Sequence, residues 1–101
     1  VHGEAVAAGM ALAFRYSVRR GHCDAADADR LADHLRSVGL PHDLSSASVR
    51  ASGQRLVDHM MHDKKMSGGT LPFLLANGIG QSFLAKDVDL NDVAAFLDES
   101  D

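Results

Sequence analysis

The first residues of the chain include a group that could bind a metal ion. The sequence begins VHGEAVAAGM, with His2 and Glu4 placed just ahead of an almost unbroken apolar run. At a helix N-terminus the backbone dipoles disfavour imidazolium, and neutral imidazole is the form that binds metals. On spacing alone, a capping or solvated histidine explains His2 better, because a metal site needs several ligands. Glu4 is similarly explained as a favourable charge in a first helical turn.

A second group of candidates consists of His59, His62 and Asp63. Residues three or four apart share a helix face, so the two histidines could hold part of a metal ion. A polar helix face opposite Leu56 and Met60 explains the same pattern, and no cysteine or further carboxylate completes a ligand set. The spacing therefore favours the structural explanation for this cluster.

Two lysines form the third candidate. Lys64 and Lys65 follow Asp63, and Gly68-Gly69 interrupts regular structure shortly afterwards. Two ammonium groups beside flexible glycines could contact a phosphate or a carboxylate. The same lysines would also suit the negative end of a helix dipole. A basic C-terminal helix cap is therefore an equally good explanation.

These candidates are positioned by a fold that is predicted to be mainly α with one β-hairpin. Hydrophobic periodicity and capping residues predict, in chain order, helices over 5–16, 24–38 and 52–62, strands over 70–76 and 81–88, and a last helix that Asp89 caps. Asn77-Gly78, between the two strands, is a hairpin signal.

The composition limits the class of protein. Apolar residues make up 46% of the 101 residues and charged residues 24%, which is typical of a globular chain. The net charge of −4 argues against a nucleic-acid binder. The longest apolar stretch, residues 5–14, is far below the ~20 residues of a membrane span, so no membrane partner is expected. A single cysteine, Cys23, suits a reducing compartment, and we expect a cytoplasmic location.

The first helix is too apolar for a body of this size. Val6, Met10 and Phe14 repeat at four-residue spacing, and alanine fills most of the other positions. Such a helix needs packing partners on several sides. We therefore expect an exposed apolar face on these three residues, met by a neighbouring chain or left loosely packed, and we expect Val1 to lie at a cut through a larger domain.

Three stretches of the sequence, in this order, resemble the 3-dehydroquinate synthase family of the sugar-phosphate cyclase superfamily. They are HGEAVAAGM, DKK followed by a glycine-rich turn, and GIGQSFLAKDV. The resemblance covers essentially the whole chain. It implies that residues 1–101 are a C-terminal fragment of the helical, metal- and substrate-binding domain, with the NAD-binding domain absent.

The resemblance implies roles for individual residues. His2 corresponds to a metal ligand of the family's HGE motif, and the family's other two ligands lie earlier in its sequence. Lys64 or Lys65 corresponds to a lysine that contacts the anionic groups of the substrate. Glu4 is assigned only local support, and the cluster at 59–63 matches no functional position. Taken with the resemblance, the ligand role becomes the preferred interpretation of His2.

The resemblance also implies a reaction. The intact enzyme would convert 3-deoxy-D-arabino-heptulosonate 7-phosphate, a phosphorylated sugar acid, to 3-dehydroquinate and phosphate in the shikimate pathway. It would use NAD and a divalent metal, zinc or cobalt, and would be a homodimer. The fragment alone is expected to bind neither cofactor, to be inactive, and to self-associate through its first helix. The alternatives are another sugar-phosphate cyclase, such as a 2-epi-5-epi-valiolone synthase, or a non-enzymatic helical interaction module.

Overall fold

The described part of the chain, in the computed structural model, comprises residues 2–43, 56–58, 60–62 and 73–99. The elements are helix α1 (His2–Arg19), helix α2 (Ala25–Ser37), strand β1 (Phe73–Gly78), strand β2 (Gln81–Ala85) and helix α3 (Leu90–Glu99). Residues 56–58 and 60–62 are also helical. The prediction of a mainly helical fold with one hairpin is confirmed, whereas the predictions for 44–55 and 63–72 lie outside the described residues.

Helix α1 is longer at both ends than the predicted range 5–16. Its alanine-rich sequence explains the length, because alanine is the best helix former. The helix ends at Arg19, and the chain leaves it through Gly21, which has a φ of +80°. The Gly21 N–H donates to the Val18 carbonyl and the His22 N–H to the Ser17 carbonyl, the paired bonds of a Schellman motif.

Helix α2 ends in the same way at Gly39, with a φ of +78°. Asp24 occupies the N-cap position and its carbonyl accepts from the Asp27 N–H, but its side chain makes no capping hydrogen bond. Leu35 is buried against Ala7 and Ala11 of α1. Val38 is 56% exposed, because it is the C-cap residue at which the chain leaves the helix.

The two strands form one antiparallel hairpin in which Leu75 lies opposite Phe83. The turn is at Ile79-Gly80, inside the predicted NGIG connection and two residues beyond the Asn77-Gly78 pair that indicated a hairpin. The left-handed conformation that the turn requires is adopted by Gly80, whose φ is +79°. Asn77 instead lies at an irregularity in the pairing between Ala76 and Gly78.

Two apolar clusters hold these elements together. The larger one contains Tyr16, Val57, Leu75, Ala85, Val93, Ala94, Phe96 and Leu97. The smaller one joins Ala7 and Ala11 of α1 to Leu35 of α2. Helix α1 therefore packs on α2 through one face and on the hairpin and α3 through another.

Helix α3 is the element whose packing the sequence predicts best. The Asp89 carboxylate accepts a hydrogen bond from the Asn91 N–H at 2.9 Å, which confirms the predicted cap. Val93 and Leu97 belong to the larger cluster, and Leu90, three residues before Val93, packs against it. Among the described helices, none combines the length and hydropathy needed to cross a bilayer.

Candidate functional site

The N-terminus of α1 is the first part of the candidate site. His2 is the first residue of the helix, and the exposed Glu4 lies in the same first turn. His2 and Glu4 therefore lie within one helical turn of each other.

A depression of about 230 Å³ lies beside that turn and is formed by the C-terminal end of α2. Its lining includes Glu4, Arg36, Pro41 and His42. Sequence analysis missed Arg36 and His42 as neighbours of Glu4, because packing of α2 on α1 brings them together across more than thirty residues. The depression is open to solvent and is lined by charged groups of both signs. Such a surface suits polar contacts better than a reaction that requires water to be excluded.

The ligand set for a metal ion is incomplete in the part of the chain that the structure describes. No three His, Cys, Asp or Glu residues within it lie close enough to hold a metal. His62 is exposed, while His59 and Asp63 lie outside the described residues. A catalytic zinc site takes three protein ligands, and the described residues do not assemble such a set.

The two candidate lysines, Lys64 and Lys65, also lie outside the described residues. The helical residues 60–62 directly precede this segment, and Met61 and His62 are exposed there. The role of the lysines stays a prediction.

A polar network fixes the opposite end of α1 to α3. The Tyr16 hydroxyl donates to Asp92 Oδ2 at 2.9 Å, and the Arg19 guanidinium contacts Asp92 Oδ1 at 3.1 Å and also pairs with Glu99. The Tyr16 ring packs edge-on against Phe96, with the ring centroids 5.2 Å apart. The network joins residues 76 positions apart, and no local sequence signal predicts it.

The network changes the acidity of its members. The Tyr16 hydroxyl, and after it the Arg19 guanidinium, lower the pKa of the Asp92 carboxyl. Burial and the hydrogen bond to Asp92 raise the pKa of Tyr16. At neutral pH the tyrosine is therefore a neutral donor to a carboxylate, which is the stable form of this contact.

A buried hydroxyl attaches α1 to the hairpin. Ser17 is completely buried; its Oγ donates to the Ala13 carbonyl at 2.7 Å and accepts from the Ala76 N–H at 2.9 Å. The bond satisfies a backbone donor of β1 that would otherwise be buried without a partner. This bond and the contacts with Asp92 fix the C-terminal half of α1 against the hairpin and α3. They thereby also fix the direction of the helix axis that leads to His2.

The single cysteine has no sign of a catalytic role. Burial, and then the nearby Asp27 and Asp24 carboxylates, raise the pKa of the Cys23 thiol. A raised pKa leaves little of the reactive thiolate at neutral pH. Cys23 is therefore a packing residue.

Comparison with known proteins gives a consistent result. Residues 1–66 match the family model described as 3-dehydroquinate synthase C-terminal. The chain is similar to the 3-dehydroquinate synthases of Zymomonas mobilis (60% identical over 97 residues), Brucella anthropi (49% over 100) and Brucella ovis (48% over 102).

These alignments cover 96% of the chain for the first relative and 98% for the other two, but only 26% of each relative. The chain thus spans about a quarter of the length of the curated relatives it matches. No solved structure matches it.

Proposed function

The chain belongs to the 3-dehydroquinate synthase C-terminal family, and from this premise we propose that it works as the C-terminal part of a 3-dehydroquinate synthase. The reaction would be the conversion of 3-deoxy-D-arabino-heptulosonate 7-phosphate to 3-dehydroquinate and phosphate in the shikimate pathway. The complete enzyme would depend on NAD and a divalent metal and would work in the cytoplasm. The observation that carries the proposal is the family match over residues 1–66, which contains His2, Lys64 and Lys65.

The proposal gives His2 a chemical role. Its imidazole would be one of three protein ligands of a divalent metal, the other two coming from elsewhere in the enzyme. When bound, such a metal polarises substrate hydroxyls as a Lewis acid. The family match supports the assignment, because the matched residues include His2 in the HGE motif.

The proposal also gives the lysines a binding role. An ammonium group is a compact point charge that binds phosphate and carboxylate oxygens through charge-assisted hydrogen bonds. The substrate carries both groups. Both lysines match the family motif. We take Lys64 as the preferred contact and Lys65 as the alternative.

The test is a chimeric enzyme, called the chimera below, in which this chain replaces the matching quarter of the Zymomonas mobilis synthase. Purified chimera should release phosphate from the heptulosonate phosphate and form 3-dehydroquinate only when NAD and a divalent metal are present. A folded, metal-loaded chimera without turnover would contradict the proposed function.

A pair of histidine variants tests the metal ligand in the same chimera. His2→Ala should lose the bound metal and reduce turnover at least ~100-fold, because two remaining ligands hold a catalytic zinc poorly. His34→Ala removes an exposed histidine of α2 and should change neither metal content nor rate. Full metal occupancy in His2→Ala, measured by elemental analysis, would refute the ligand role.

A further inference from the structure

Helix α3 forms part of the wall of an apolar groove of about 290 Å³. Val93, Phe96 and Leu97 of α3 line this groove together with Leu12 and Tyr16 of α1. The three α3 side chains are buried in the folded chain. If α3 left its place, the groove would open and these apolar side chains would face water.

Contacts of side chains, and not backbone hydrogen bonds, join α3 to the other elements. The N–H groups of Asp92 and Val93 donate to the Asp89 carbonyl at the start of the same helix, and within the described residues no backbone hydrogen bond links α3 to another element. The hairpin, by contrast, has its own ladder and also the bond from the Ala76 N–H to Ser17. Helix α3 can therefore move away without breaking a backbone hydrogen bond of α1, α2 or the hairpin.

The polar contacts that hold α3 on α1 come from one turn of α1. Tyr16 donates to Asp92, and Arg19 pairs with both Asp92 and Glu99. Because Asp92 and Glu99 lie about two helical turns apart, Arg19 holds both ends of α3. Its side chain is 33% exposed, so water competes for these ion pairs and keeps them modest in strength.

The remaining elements have contacts that do not involve α3. The smaller apolar cluster joins Ala7 and Ala11 of α1 to Leu35 of α2 and, among the described residues, includes none from α3. The bond of Ser17 still attaches β1 to α1. Residues 86–89, which have no regular secondary structure, connect β2 to α3 and are suited to act as a hinge.

We propose that α3 is a strap that opens and closes over the apolar groove as one unit, with residues 86–89 as the hinge. In the open state α1, α2 and the hairpin stay folded. Opening breaks the contacts of the larger cluster and leaves the smaller cluster and the hairpin ladder intact, so it costs less free energy than complete unfolding. The proposal stands independently of the proposed function.

Native-state hydrogen exchange of the 101-residue chain, measured at increasing urea below the unfolding transition, tests the strap. The amides of residues 94–98 should share one opening that is at least ~10-fold more populated than the opening that exposes amides 28–35 of α2. It should also depend less steeply on urea, because it exposes less surface than complete unfolding. A gradient of protection along α3 would indicate fraying of its end, and one common opening for both helices would indicate complete unfolding. Either result would overturn the proposal.

A variant in the smaller cluster separates the two openings. Leu35→Ala weakens a contact that is present in both the closed and the open state and is lost only on complete unfolding. It should therefore speed exchange of the α2 amides at least ~10-fold and leave exchange of the α3 amides unchanged. The milder Leu35→Val gives the same comparison if Leu35→Ala does not fold. Equal acceleration of the two helices would contradict a separate opening of α3.

A matched pair of arginine variants tests what holds the strap closed. Arg19→Met removes the contacts with Asp92 and Glu99, which exist only in the closed state, and should speed exchange of the α3 amides at least ~3-fold. Arg36→Met, which removes an exposed ion pair with Asp33 inside α2, should leave exchange of the α3 amides unchanged. Unchanged exchange of the α3 amides in Arg19→Met would show that these ion pairs do not hold α3 and would overturn the proposal.

Discussion

At the scale of single residues, the two ends of α1 carry different kinds of chemistry. The N-terminal end has His2 and Glu4, which suit the positive end of the helix dipole. The C-terminal end has Arg19, which suits the negative end and is held by Asp92 and Glu99. His2 and Glu4, which belong to the family's HGE motif, therefore lie at the N-terminal end of α1. The contacts with α3 hold the C-terminal end of the same helix.

The two lysines allow a direct test of substrate binding in the chimera. Replacing the contacting lysine by alanine should lower kcat/KM about 10- to 100-fold, the effect of losing a hydrogen bond between charged groups. We expect Lys64→Ala to show this loss of kcat/KM, and Lys65→Ala is the alternative. Lys86→Ala, which removes an exposed lysine after β2, is the control and should have no effect. Unchanged kcat/KM in both variants would remove the lysines from the site.

Asp92 should make the stability of the chain depend on acidic pH. Tyr16 and Arg19 lower the pKa of its carboxyl in the folded state, so the folded protein binds that proton less tightly than the unfolded chain does. The stabilisation is therefore present above the ordinary pKa of about 3.9 and is lost as the pH falls through the lowered folded value.

The corresponding variant is Asp92→Asn, measured by urea unfolding across the pH range. It should cost about 1 kcal/mol at pH 7, since solvent partly screens the contact, and the difference from the parent should shrink as the pH falls below the ordinary pKa of the carboxyl. Asp33→Asn, which affects only an exposed pair with Arg36, should cost less than about 0.5 kcal/mol. A pH-independent cost for Asp92→Asn would contradict the lowered pKa.

At the scale of elements, glycines in the left-handed conformation end the first two helices and close the hairpin. Gly21 and Gly39 end α1 and α2 in Schellman motifs because a left-handed residue is needed there and glycine supplies it at little cost. The hairpin offers two glycines in NGIG, and the favoured dipeptide Asn77-Gly78 is not the turn. Gly78 belongs to β1 and pairs with Gln81, so only Ile79 and Gly80 are left to form the turn. Gly80 adopts the left-handed conformation in that turn.

The candidate site shows the limit of prediction from sequence more clearly. The start of α1 at His2 follows from an alanine-rich run, and the family resemblance identified the motif around it. The contacts of Ser17 with β1 and of Tyr16 with α3 join residues 59 and 76 positions apart, and only tertiary packing determines them. Residue spacing within a single helix or strand cannot predict these contacts between distant residues.

The contact between α1 and β1 should be sensitive to a single hydroxyl. Ser17→Ala leaves the buried Ala76 N–H without an acceptor and should destabilise the protein by about 1–3 kcal/mol. Ser37→Ala removes a hydroxyl that bonds the His34 carbonyl at an exposed helix end and should cost less than about 0.5 kcal/mol. Thermal unfolding followed by circular dichroism measures both, and equal costs would show that the bond to β1 contributes nothing specific.

At the scale of the whole molecule, α1 is the element that the two apolar clusters share. One cluster fixes it to α2 and the other to the hairpin and α3, yet Val6 and Met10 on α1 are 44% and 45% exposed. A small domain that leaves a wide apolar helix face uncovered gains less stability from burial than its composition allows. The chain is therefore expected to be markedly more stable within the chimera than alone.

The 101 residues by themselves should not catalyse the reaction. The described residues offer no set of three metal ligands, and the resemblance assigns a single ligand, His2, to this chain. One imidazole binds a divalent metal too weakly to retain it at catalytic concentrations. The assay supplies NAD, zinc and the heptulosonate phosphate to the purified chain and measures phosphate release, with the chimera as positive control. Turnover that co-purifies with the chain and disappears in the His2→Ala variant would show that these residues assemble a complete site, and the assignment of a single ligand would then be wrong.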